Sequence, residues 1–307
     1  MLNKIFIFTF ISSLIMVASD TFADQESLDN ALRSTYTACV GINERLIDLK
    51  KMAGINTAIS AIGTATATGA LATGIAKAQK DKQIEELLKE IKSAEDSTSA
   101  PETDYEKLRA EFNTDYSYSG QTVQGLDELQ TKSKKLGNWR TGLIAGSTLT
   151  NVAGAIIAGK NNTNNIELKD MIASCLESVS ALNKEIGQAR FDGLDVDEAM
   201  SISSACREYN TVDLSKITNK NKGAMVSSIV GASTGAIGTI TSAAGNSDSI
   251  RQNENNKKEK SLNTASNVLA GATVIASGTA TVFNATQIAA IKHIANVAEN
   301  CERFLNP

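Results

Sequence analysis

The chain has 307 residues and a formal net charge of −4 at pH 7, from 30 basic and 34 acidic side chains. This length allows one large domain or two smaller ones, and the mildly acidic balance gives no reason to expect nucleic acid as a partner. Only two prolines and 5% aromatic residues are present, so long helices are allowed and their packing must rely on small side chains.

The N-terminus has the pattern of a secretory signal peptide. Lys4 precedes an uncharged run from Ile5 to Val17, and Thr21-Phe22-Ala23 offers small residues at the two positions that signal peptidase reads. The pattern predicts a signal peptide over residues 1–23, with an uncleaved anchor as the alternative. The mature chain is therefore expected in the periplasm, in the cell envelope or outside the cell.

Apolar residues recur at helical spacing through most of the mature chain, as in Ile84, Leu87, Leu88 and Ile91. The pattern predicts four long helices, over about 27–92, 121–189, 197–245 and 258–304, with a break allowed in the third around 209–213. Helices of this length are typical of rods, coiled coils or membrane-crossing proteins. A strand at 238–241 is disfavoured, because Ala and Gly form strands poorly.

Four segments, 52–76, 141–159, 223–247 and 261–291, carry no charged side chain, and each is flanked by charged residues. An exported chain meets an oxidising compartment, so its four cysteines predict two disulfides, for which three pairings exist. Pairing Cys39 with Cys175 sets residues 52–76 opposite 162–138, and pairing Cys206 with Cys301 sets 223–247 opposite 284–260. The turns then fall near residue 107 and at 253–254, in polar sequence, so this pairing is favoured.

The sequence therefore predicts an all-α fold of two long antiparallel helical hairpins in an elongated four-helix bundle, each hairpin closed by a disulfide. Residues 24–191 form the first hairpin and residues 192–307 the second. Ala61-Ile62-Gly63-Thr64 recurs as Ala236-Ile237-Gly238-Thr239, which suggests an internal duplication. Chance matching of low-complexity Ala/Gly/Thr tracts is the alternative.

Glycines in the uncharged segments are spaced as in a glycine zipper. Glycine inside a helix costs up to about 1 kcal/mol relative to alanine, and close approach of a second helix can offset that cost. Ten positions are the predicted helix-packing sites: Gly63, Gly69, Gly74, Gly142, Gly146, Gly231, Gly235, Gly238, Gly271 and Gly278.

Two interpretations of the uncharged segments remain open. Segments of 19 to 31 residues are long enough to cross a bilayer. They are only mildly apolar, however, and Asn56, Asn151 and Asn267 need polar partners in lipid. The alternative is the tightly packed waist of a water-soluble bundle.

No catalytic, metal-binding or cofactor-binding pattern stands out. His293 is the only histidine, the cysteines are assigned to disulfides, and no zinc, calcium or phosphate-loop spacing occurs. We therefore expect no enzyme activity, no cofactor and no metal.

The favoured function is that of an exported structural or interaction protein of the cell envelope, which packs or oligomerises through small-residue helix faces and is associated with a membrane. A secreted helical pore-forming or membrane-inserting protein is one alternative, and a soluble coiled-coil binding rod is another. Membrane lipid and further copies of the chain are the expected partners, nucleic acid is not expected, and the sequence leaves a protein partner open.

Overall fold

The computed structural model describes residues 25–97, 116–247 and 257–305. These residues are almost entirely helical and contain no strand, so the predicted all-α class is confirmed for them. The predicted signal peptide (1–23), the turn near residue 107 and the turn at 253–254 lie outside the described residues.

Six α-helices follow one another along the described chain. They are α1 (Gln25–Cys39), α2 (Ile42–Ser97), α3 (Tyr116–Phe191), α4 (Asp197–Arg207), α5 (Leu214–Gly245) and α6 (Lys257–Leu305), and a 3₁₀ turn (Glu208–Thr211) follows α4.

Gly41 divides the first predicted helix into α1 and α2. Its φ of +86° is a left-handed conformation that glycine adopts without the steric cost of a Cβ. The α-helix therefore stops after Cys39 and restarts at Ile42. The expectation of one helix over 27–92 did not include this break, because a single glycine inside an apolar repeat does not by itself indicate a helix end.

The connections around α4 follow local turn chemistry. Gly193, with φ +79°, ends α3, and the amide of Leu194 donates to the carbonyl of Ala189 at 2.9 Å. At the start of α5, the Ser215 amide and hydroxyl both donate to the Asp213 carboxylate, at 3.0 and 2.5 Å. The Ser215 hydroxyl is the main cause that lowers the pKa of Asp213 below its ordinary value.

Two disulfides join Cys39 to Cys175 and Cys206 to Cys301, as predicted. Their Cα–Cα distances are 4.7 and 4.5 Å, which lie within the range disulfides require. All four cysteines are fully buried, and the sulfurs of Cys39, Cys175 and Cys301 lie within 4.8 Å of one another. The two bridges are therefore neighbours in one core.

Residue contacts divide the chain into two compact units, and each unit takes residues from both predicted halves. Unit 1 comprises residues up to Asn56, Ile157–Gly223 and residues from Phe283 onward, and unit 2 comprises Thr57–Ile156 and Ala224–Val282.

Unit 1 has a core of large aliphatic side chains. Large aliphatic side chains from every helix segment in the unit pack around the disulfides, among them Leu28, Leu46, Leu182, Ile217 and Ile294. Burial of each such side chain stabilises the fold by about 1.5–3 kcal/mol.

Part of the unit 1 core is polar. It buries six amide side chains: Asn56, Asn161, Asn165, Asn221, Asn284 and Gln287. The Asn56 amide donates to the Asn284 side-chain oxygen at 3.0 Å, and the Asn221 amide donates to the carbonyl of Ala158 at 2.8 Å.

Unit 2 buries residues at alternating spacings of three and four. Between residues 57 and 77 of α2 the buried positions are 60, 63, 67, 70, 74 and 77, and in the unit 2 part of α5 they are 224, 228, 231, 235, 238, 242 and 245. This 3.5-residue period is that of a coiled-coil seam. The residues on the seam are mostly Gly, Ala and Ser rather than Leu or Ile, so the helix backbones lie close together.

Candidate functional site

The glycines of α2 lie against α3 within unit 2. A Cβ placed on Gly63 would come within 2.7 Å of the Thr150 hydroxyl, and one on Gly69 within 3.4 Å of Leu143. A Cβ on Gly74 would lie 2.0 Å from the Asn267 side-chain oxygen and 3.0 Å from Arg140 Cδ, so these side chains would have to shift. As the glycine position on α2 rises from 63 to 74, the contacted position on α3 falls from 150 to 140.

The glycines of α5 are equally crowded. A Cβ on Gly231 would lie 2.8 Å from the Asn151 amide group, and one on Gly235 would overlap the Thr148 hydroxyl. A Cβ on Gly238 would lie 3.3 Å from Leu269 and 3.4 Å from Ile144. The Gly231/Gly235 pair therefore faces inward, against α3.

The other predicted glycines have more space. A Cβ on Gly142, Gly146 or Gly271 would meet nothing within 4 Å, and one on Gly278 would meet only Thr64, at 4.0 Å. The Gly142/Gly146 pair thus has the same sequence spacing as the Gly231/Gly235 pair but lies on an open face. Sequence reasoning also missed Gly137 and Gly223, which are crowded by Asn246 and Phe283.

The interior of unit 2 contains many polar side chains and few large aliphatic ones. Among the described residues, the only large aliphatic side chains buried there are Ile144, at 1% exposure, and Ile84, at 9%. The buried polar side chains are Ser60, Lys77, Ser133, Arg140, Ser147, Asn151, Ser228, Ser242, Asn246, Asn263, Ser266, Thr273 and Ser277.

Asn151 is central to this polar interior. Its amide donates to the Ser147 carbonyl at 2.9 Å, and its side-chain oxygen accepts a hydrogen bond from Ser277 at 3.0 Å. Ser147 in turn donates to the carbonyl of Gly63 at 2.9 Å. Because the Asn151 side chain also lies over Gly231, residues from α2, α3, α5 and α6 meet here.

Two cations, Lys77 and Arg140, are buried with 0% exposure at one end of the uncharged part of unit 2. Lys77 donates to Asp81 at 2.6 Å and to Glu259 at 2.9 Å. The Arg140 guanidinium donates to Ser242, Asn267 and Asn263 at 3.1 to 3.3 Å. Each buried cation is thus held by hydrogen bonds, as burial of a charge requires.

Exposed large aliphatic side chains lie on all four helices of unit 2. Its exposed large apolar side chains are Ile62, Ile75, Leu88, Trp139, Leu149, Val152, Ile156, Val226, Ile229, Val230, Ile237, Ile240, Val268, Ile275 and Val282. We call this set, without Leu88 and Trp139, the aliphatic belt. The belt residues are distributed over all four helices of the unit rather than over one of them.

Hydroxyl groups between the belt residues are satisfied by their own helices. The exposed threonines Thr68, Thr264 and Thr279 each donate to the carbonyl four residues earlier, at 2.8 Å. The exposed Ser233 does the same toward Ile229, at 2.9 Å. This bonding removes the need for water at these positions.

Four described helical stretches are long and apolar enough to cross a membrane: Gln25–Lys89, Gly125–Phe191, Leu214–Gly245 and Lys257–Leu305. The most apolar 18-residue window of each has a mean hydropathy of 1.3 or 1.4, and about 30% of each window is buried. These segments therefore combine sufficient length with largely exposed apolar surface.

Chemically reactive groups are not clustered in the described part of the chain. The one close group of metal-ligand types there is Cys39, Cys175 and Cys301, whose sulfurs are held in disulfides and are not thiolates. His293 is exposed on α6. Burial raises the pKa of Tyr209, and the nearby charge of Glu302 adds to this effect.

Comparison of the chain with protein-family models, with curated proteins and with solved structures found no match.

Proposed function

We propose that the chain is an exported, non-enzymatic structural or interaction protein of the cell envelope, anchored by unit 2 in a lipid bilayer. In this proposal the chain forms two antiparallel helical hairpins in an elongated bundle. The order of contacts between α2 and α3, and the pairing of Thr234 with Thr273 and of Gly238 with Leu269, support that arrangement.

The observation that carries the proposal is the inverted polarity of unit 2. In water, each exposed belt residue forgoes much of the roughly 1.5–3 kcal/mol that its burial provides. In a bilayer the belt contacts acyl chains, and the buried Ser, Thr and Asn side chains bond one another, as membrane helices require. Unit 1, with aliphatic residues inside, has the polarity of a water-soluble part.

The length of the uncharged part of α2 agrees with the thickness of a bilayer. Residues 57–76 of α2 carry no charge and belong to unit 2. At about 1.5 Å per residue they extend roughly 30 Å, which is the thickness of the hydrocarbon core.

The experiment is flotation of the mature protein with liposomes, compared between two Ile→Lys variants. Ile275 in the belt is 72% exposed, and Ile166 in unit 1 is 54% exposed. A surface lysine in water changes stability by about 0.5 kcal/mol or less, whereas a lysine at the centre of a membrane helix costs about 2.5–3.5 kcal/mol. Ile275→Lys should therefore reduce flotation strongly and Ile166→Lys should not. Equal flotation of both variants, or no flotation of the wild type, contradicts the proposal.

A pore-forming function is the second candidate, because the hydrogen-bonded Ser147–Asn151–Ser277 interior offers polar groups along the bundle axis. Release of an entrapped dye during the same flotation assay supports this candidate. Flotation without release supports the envelope component, and a soluble species that ignores lipid supports a binding rod.

A further inference from the structure

Trp139 is the chain's only tryptophan, and it is 68% exposed on α3. It borders a shallow surface depression with Asn138, Gly142 and Leu143. It directly precedes Arg140, the charged residue that flanks the uncharged segment 141–159 of α3. A tryptophan between charged and uncharged helix segments is typical of the membrane–water interface, where the ring contacts both lipid and water.

Charges at this end of unit 2 are arranged to balance. Lys77 and Arg140 are matched in number by Asp81 and Glu259, and both carboxylates accept hydrogen bonds from Lys77. The Ser133 hydroxyl also donates to Asp81, at 2.5 Å. The four charges sum to zero and the two cations are buried, so this cluster itself adds no net charge at this end of unit 2.

Residues farther from the belt require water. Lys82, Lys89 and Lys132 are exposed and pair with Glu86, Glu85 and Glu128 across one helical turn. Trp139 therefore marks the boundary between an apolar surface and a charged one.

Helix α2 continues without a break from Ile42 to Ser97. A continuous helix cannot turn back inside a bilayer, so a helix that enters at residue 57 emerges near Lys77 on the other side. The exposed charges of Lys82 and Lys89 then lie in water across the membrane from the point of entry.

We propose that Trp139 is an interfacial anchor in the distal leaflet, and that unit 2 crosses the bilayer completely. "Distal" means the leaflet facing away from the side on which residues 25–56 remain. The proposal rests on the membrane function proposed above and names the lipid headgroup region of that leaflet as the partner of Trp139.

The test uses tryptophan fluorescence of the full mature protein added to preformed phosphatidylcholine vesicles and isolated by flotation. Iodide, an impermeant quencher, is placed either outside or inside the vesicles. The expected result is loss of quenching by external iodide relative to the free protein, together with quenching by entrapped iodide. Lipids brominated near the headgroup should quench Trp139 more than lipids brominated near the chain ends.

Two single-tryptophan variants serve as controls, both at exposed positions where a larger ring disturbs no core. Trp139→Phe combined with Phe191→Trp places the probe in unit 1, at a site that is 90% exposed, and external iodide should still quench it. Trp139→Phe combined with Ile275→Trp places it in the belt, where deep bromines should quench it and iodide on neither side should.

Each outcome is decisive. Bound protein whose Trp139 is quenched by external iodide alone lies in the near leaflet, which overturns the crossing while the proposed membrane function stands. Absence of wild-type flotation overturns the membrane function itself. Shielding of Trp139 from external iodide, with quenching from inside, supports the distal anchor.

Discussion

Gly235 and Gly146 offer a matched test of helix packing in unit 2. Both lie in the uncharged segments, and each ends a GxxxG pair. At Gly235, a new methyl group overlaps the Thr148 hydroxyl and lies 3.5 Å from the Thr148 Cα. At Gly146, a new methyl group meets nothing within 4 Å. The same Gly→Ala change therefore has opposite steric consequences at the two sites.

The magnitude follows from two terms. Alanine is favoured over glycine inside a helix by up to about 1 kcal/mol, which applies equally to both variants. Overpacking a tight interface costs about 1–3 kcal/mol. Thr148 cannot rotate away freely, because its hydroxyl donates to the carbonyl of Ile144 at 2.9 Å. We expect Gly146→Ala to be stabilising by up to about 1 kcal/mol and Gly235→Ala to lie about 1–3 kcal/mol below it.

The assay is unfolding in detergent micelles, followed by far-ultraviolet circular dichroism with the disulfides intact. Gly235→Leu, which adds more volume at the same contact, should extend the loss seen with alanine. Equal unfolding free energies for Gly235→Ala and Gly146→Ala would refute the close approach of α5 to α3.

Three further predictions concern the disulfides, a buried phenol and the polar interior. Replacing Cys39 and Cys175 by serine removes a bridge across 136 residues and should cost about 2–5 kcal/mol in denaturant unfolding; an unchanged midpoint contradicts a structural role. Burial raises the pKa of Tyr209 above its unfolded value near 10, so the stabilisation is complete below about pH 10 and lost as pH rises further. Tyr209→Phe should therefore flatten the alkaline loss of stability measured by thermal melts, and an unaltered pH profile counts against this cause. Asn151→Ala removes the acceptor of Ser277 and should destabilise unit 2 by about 0.6–1.7 kcal/mol in detergent, whereas a neutral effect means that this bond contributes nothing.

The disulfide pairing was predictable because the positions of the cysteines and the positions of the uncharged segments favour the same pairs of helices. With Cys39 bonded to Cys175 and Cys206 to Cys301, the uncharged segments align and the turns fall in polar sequence, and both bonds are present. The interruption at Gly41, where φ is +86°, was not predicted, because a single glycine inside an apolar repeat does not by itself mark a helix end.

The two GxxxG pairs show where sequence reasoning ends. Gly142/Gly146 and Gly231/Gly235 have identical spacing, yet only the second pair touches a neighbouring helix. The face that each pair presents depends on helix rotation, which glycine spacing alone does not fix. A stronger signal was the alternation of three and four residues among small and polar positions such as Ser228, Gly231 and Ser242, because this repeat separates the seam from the belt.

The location of the aliphatic belt was not evident from hydropathy alone. Ala, Ser and Thr dilute the mean hydropathy of each uncharged segment to a borderline value, so membrane and soluble interpretations remained balanced. Sorting the side chains into buried and exposed positions separates Ile240 and Ile275, which face outward, from Ser266 and Ser277, which face inward. That separation supports the membrane proposal.

The most direct measurement is electron paramagnetic resonance of a nitroxide attached to Ile240→Cys in the protein reconstituted into bilayers. The native cysteines are in disulfides, so the label reacts only at the introduced thiol. If the belt contacts acyl chains, the nitroxide collides more often with apolar oxygen than with a water-soluble nickel chelate. Nickel collisions as frequent as those of a label at the exposed Glu177→Cys site in unit 1 would contradict the proposed lipid contact.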